Sequence, residues 1–110
     1  MKAIEIKELP LANLDLPSKW WGSVALFNAD DALVLVDFCE KNHIAVLGLE
    51  GFRLTENART PEMNCIVDCS ELSRIAGPRF QEASIASVKD FIRSLSKEDL
   101  YFEFVLVGVQ

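Results

Sequence analysis

A chain of 110 residues with 50% apolar and 25% charged side chains has the composition of one ordinary globular domain, large enough to bury roughly two-thirds of the surface it exposes when unfolded. Eleven basic against seventeen acidic residues leave a net charge of -6, which repels phosphate backbones, disfavours direct nucleic-acid binding and favours a basic protein partner. The odd set of Cys39, Cys65 and Cys69 suits a reducing compartment, the start MKAIEIKELP lacks the apolar core of a signal peptide, and no apolar run of about 18 residues offers a membrane span, so the expected location is the cytoplasm.

Residues 2–7 (KAIEIK) alternate as a short edge strand guarded by lysines. Pro10 and Pro17 then bracket LPLANLDLPSKWWG, which can continue neither a ladder nor a helix interior because proline lacks the N–H that both need. Residues 1–28 thus read as an N-terminal strand or arm, and 29–110 as the core. Asn28 is placed to cap a helix from Ala29 to Lys41, with Asp30 and Asp31 at its positive end and Lys41, Asn42 and His43 as its stop signal. Apolar residues from Ala32 to Cys39 nearly encircle this helix, which predicts burial on more than one side.

Ile44–Leu49 reads as a buried strand bounded by Gly48 and Gly51, followed by a long polar connection over 53–63. In 64–69 the alternation puts Cys65, Val67 and Cys69 on one face and Ile66 and Asp68 on the other. After a turn ending at Gly77-Pro78, Phe80, Ala83, Val88, Phe91, Ile92 and Leu95 mark an amphipathic helix, and LYFEFVLVGV (100–109) is the clearest strand. The predicted fold is α+β: three or four mainly antiparallel strands, two helices packed on one face, in the order (β)αββαβ.

Chemistry-bearing patterns are sparse. The segment HIAVLGLEGFR (43–53) matches no phosphate-binding glycine motif, and Glu50 would repel an anion there; the two glycines instead relieve crowding at a strand end and leave Glu50 at its tip. His43 and Cys39 do not combine with Cys65 and Cys69 into a zinc site, since two thiols four residues apart on a strand lie about 13 Å from each other. No oxyanion motif supports a Cys–His nucleophile either. Carboxylates remain, and Glu50, Asp68 and Glu71 should cluster if their two strands adjoin. Trp20 and Trp21 cap the open end of the core or, if exposed, anchor an interface.

The run DDALVLVDFCEKNHIAVLGLEGFR, continuing to SIASVKDFIRSL and YFEFVLV, resembles the immunity proteins that guard bacteria against colicin-type and contact-dependent-inhibition toxins, above all those directed at tRNA anticodon-cleaving colicins. The likeness spans 29–107, and its distinctive part is LGLEG, where Glu50 with Gly48 and Gly51 matches the local motif. It implies a non-enzymatic cytoplasmic inhibitor, monomeric or weakly dimeric, that needs no cofactor or metal and fills the cleft of a basic nuclease toxin domain with carboxylates in place of RNA phosphates. Candidate contact residues are Glu50, Asp68, Glu71, Glu56, Trp20 and Trp21. Two other readings stay open: a dimeric small-ligand regulatory domain of split βαβ type, which needs a glycine loop before the first helix, and a metal-assisted hydrolase, for which no carboxylate spacing speaks.

Overall fold

The computed structural model describes residues 2–109. Its chain order is β1 (Lys2–Ile4), β2 (Lys19–Trp21), β3 (Val24–Asn28), α1 (Ala29–Lys41), β4 (Ile44–Leu54), β5 (Arg59–Asp68), α2 (Ser70–Ala76), α3 (Phe80–Ser94) and β6 (Tyr101–Gly108). The α+β class holds, but the sheet has six strands rather than three or four, and every pairing is antiparallel. The order α1-β4-β5-α3-β6 follows the sequence expectation, with the β2–β3 hairpin and the short α2 added to it.

The strands line up as β2-β3-β6-β4-β5, with β1 paired to the end of β6. β6 occupies the middle because it is the most continuously apolar and β-prone segment, and so gains most from neighbours on both sides. Since β3 and β4 both run antiparallel to β6, they are parallel to each other with β6 inserted between them, a split βαβ unit closed by α1. The first strand of that unit is β3, not the stretch 2–7, of which only Lys2–Ile4 forms a strand before Ile6–Glu8 turns into a 3-10 helix. A hairpin therefore replaces the expected arm over 19–28, and Gly22 sits in its turn at φ +61°, where a side chain would be strained.

α1 starts where the sequence places it. Asn28 Oδ1 accepts from the Asp31 amide at 2.8 Å, and the Ser18 hydroxyl ties the entry by donating to Asp31 Oδ2. Its buried stripe is Ala32, Leu35, Val36 and Cys39, packed against α3 and the sheet, but Val34 remains 40% exposed, so the helix is less enclosed than its composition implies. His43 lies beyond the helix, exposed and left-handed at φ 58°, rather than in its last turn. α3 contributes Phe80, Ile85, Val88 and Ile92 to the same core as Phe27, Phe102, Phe104 and Leu106. Each fully buried side chain of this size stabilises the fold by about 1.5–3 kcal/mol.

β4 extends to Leu54 and β5 begins at Arg59, so the expected long connection is a tight hairpin closed by the Thr55 amide donating to Ala58 O at 2.8 Å. The glycines of LGLEG consequently stand in mid-strand, not at a strand end. They do relieve crowding: a methyl on Gly51 would come within 2.8 Å of Cys65 Cβ, and one on Gly48 within 3.0 Å of Val67 O. A bulge at Leu47 shifts the register between Val46 and Gly48. There the Val46 amide donates to the fully buried Ser84 hydroxyl at 3.2 Å, which in turn donates to Gln81 O.

Candidate functional site

The helices cover one face of the sheet, and strand alternation sends every second side chain to the other. On that open face Glu50 of β4 lies directly opposite Glu103 of β6 on one side and Ile66 of β5 on the other. Residues so opposed have Cβ atoms about 4.5–5.5 Å apart, where like charges destabilise the pairing. Glu103 is partly compensated, because Arg59 Nη1 donates to its Oε1 at 3.2 Å while the guanidinium stacks 4.4 Å from the centre of the Phe52 ring. No ion pair among the described residues involves Glu50.

Gly48 pairs with Asp68 on one side and Val105 on the other, and having no side chain it leaves a depression of about 410 Å³ walled by Glu50, Asp68, Glu103, Ile66 and Val105. Ile66 and Val105 are 46% and 53% exposed, so exposed apolar side chains stand beside the carboxylates. Hydrogen bonds from the Ser70 hydroxyl (2.6 Å) and amide (2.9 Å) hold the Asp68 carboxyl below its ordinary range. Asp68 is thereby kept charged, and it also fastens the entry to α2. Across β6 a second depression, about 380 Å³, shares Glu103 and Val105 with the first and is bordered by Trp20, Ile4, Val24 and Ala25.

The fold thus gathers Glu50 and Asp68 into one depression and puts Trp20, 49% exposed, on the edge of its neighbour. Neither tryptophan is in an arm capping the core; both are in β2. Trp21 is half-buried with Lys19 Nζ 5.6 Å from its ring. Glu71 is not part of the group, being exposed in the first turn of α2 and paired with Arg74. Glu56 lies in the β4–β5 turn, beyond Leu54, which is itself four strand residues or roughly 13 Å from Glu50.

Comparison with known proteins gives no match. No family model, curated protein or solved structure matches the chain.

Sequence reasoning missed Glu103, Ile66 and Val105 as members of the surface. The signal was present in the alternation Tyr101-Glu103-Val105 against Phe102-Phe104-Leu106, but only strand register brings Glu103 opposite Glu50. The three cysteines are unpaired and buried; burial pushes the Cys39 thiol up to about 12 and raises Cys65 and Cys69 as well, so these thiols are poor nucleophiles at neutral pH. Among the described residues no three His, Cys, Asp or Glu side chains converge as metal ligands. A larger cleft of about 790 Å³ opens by Gly108, lined by Lys2, His43, Ser73 and Gln81 among others, and includes none of the candidate carboxylates. No described helix is long and apolar enough to cross a membrane.

Proposed function

We propose that this chain is an immunity-type inhibitor that binds the cleft of a cognate basic nuclease toxin domain, its carboxylates standing in for RNA phosphates, and performs no catalysis itself. The observation that carries this reading is the opposition of Glu50 and Glu103 on the helix-free face. A folded protein gains nothing internally from two facing acids. A cationic partner relieves that repulsion on docking, so the surface is better explained by association than by stability. Exposed Ile66, Val105 and Trp20 beside the acids supply the apolar contacts that a charged rim lacks. The net charge of -6 adds attraction at long range and predicts a salt-sensitive association rate.

Such an inhibitor is expected to have a basic nuclease domain encoded beside it, and the test is calorimetric titration of the two at low and physiological salt. Nanomolar or tighter binding is expected, weakened at least tenfold by Glu50→Lys and accompanied by loss of nuclease activity. Absence of association at low salt overturns the proposal.

A further inference from the structure

β6 is the central strand, yet part of its edge is open. β3 pairs with it only through Phe27 and Asn28, opposite Phe102 and Tyr101, and then leaves to follow β2; β1 pairs only with Leu106, Val107 and Gly108. Residues Glu103, Phe104 and Val105 between them have no strand partner on that side among the described residues. An antiparallel strand turns the N–H and C=O of alternate residues to each flank, so at least one of these three directs both groups into the gap. The gap is the 380 Å³ depression, a wedge with Ile4, Val24 and Ala25 in its walls and Trp20 at its mouth, and its lining also includes Glu5 and Lys7, whose charges are paired with each other at 3.2 Å.

Glu103 stands at the inner end of this wedge. Towards β4 it faces the like charge of Glu50, Arg59 engages only its Oε1, and towards the wedge its register position is empty. We infer that the wedge between β1, β3 and β6 is a receptor for an arginine side chain of the basic partner. Its aliphatic stem would lie against Ile4 and Val24, and its planar fork would donate to Glu103 Oε2 and to a free β6 carbonyl while stacking on Trp20. Lysine fits less well, because one ammonium cannot both stack on the indole and satisfy two acceptors in a plane. The inference rests on the proposed function for the owner of that arginine, but the receptor itself is a property of this chain.

Two titrations of the isotope-labelled protein followed by NMR separate these claims. With N-acetyl-arginine amide, saturable millimolar shifts are expected at the Trp20 indole N–H and the amides of residues 103–105. They should weaken at least tenfold in Trp20→Ala and in Glu103→Gln, and be absent with the neutral N-acetyl-norleucine amide. Shifts spread evenly over the acidic surface, or equal binding of the neutral amide, overturn the inference. With the toxin domain, a complex that leaves the Trp20 indole unshifted overturns the inference while the inhibitor reading stands. Specific arginine-amide binding without any toxin complex supports the receptor and removes the inhibitor reading.

Discussion

On its helix-covered face the sheet presents Phe102, Phe104 and Leu106 from β6 with Leu49 from β4, all buried, whereas the open face of the same two strands presents Glu103, Val105, Glu50 and the bare backbone of Gly48. Residues one apart in sequence therefore live under different rules. The covered face is fixed by packing, where each side chain has neighbours on every side and a volume change is felt at once. The open face tolerates facing acids and half-exposed branched side chains that add little to stability. A surface that is costly to the fold and unnecessary to the core is where a function can be sought.

The sharpest way to break this contrast is to truncate on both faces of β6. Phe102→Ala should lower stability by about 3–5 kcal/mol in urea denaturation, while Val105→Ala three residues away stays within about 0.5 kcal/mol. Comparable losses would mean that the open face is packed after all.

Gly51→Ala probes the spacing between β4 and β5, since its methyl would sit 2.8 Å from Cys65 Cβ. A loss of about 1–3 kcal/mol is expected, seen as a lower urea midpoint at unchanged slope. An unperturbed midpoint would show that the strands part without cost.

A smaller effect of opposite sign sharpens the view of the open face. Glu50→Gln should stabilise the free protein by about 0.2–1 kcal/mol by removing one of two facing charges. Glu103→Gln should gain less, because it also removes the charge that Arg59 engages. If Glu50→Gln destabilises, the opposed acids are not in conflict.

The smallest effect is a titration. Asp68 is depressed by its bonds to Ser70, so its contribution to stability is present above its unfolded value, about 3.9, and disappears as pH falls through the lower folded value. Ser70→Ala removes the hydroxyl bond and should move the Asp68 carboxyl back towards the ordinary range in an NMR pH titration, with a small loss of stability that is present near neutrality and fades as the pH falls through the Asp68 titration. No movement would assign the depression to another cause.

Much of the scaffold was legible because its signals are local. The Asn28 cap, the stripe on α3 and the β-branched run of β6 each need only neighbouring residues to be recognised. The β2–β3 hairpin was not, since three residues of Lys19-Trp20-Trp21 between a proline and a glycine are too few to show a period. β4 runs five residues past its expected end at Leu49; Gly48 and Gly51 resemble punctuation, although they serve close approach to β5. Glu50 and Asp68 were identifiable as candidates by type; Glu103 was not, since its importance depends on which residue stands across from it.

The sequence by itself determined the class of fold, the limits of α1, the apolar stripe of α3, the sign of the net charge and the face shared by Cys65, Val67 and Cys69, because these follow from periodicity, capping and composition. Only the tertiary structure decided the pairing: that β6 enters between β3 and β4, that Glu103 meets Glu50, and that β1 and β3 leave a gap between them. Register is a relation between segments distant in the chain, set by how the core packs as a whole, and no local pattern encodes it.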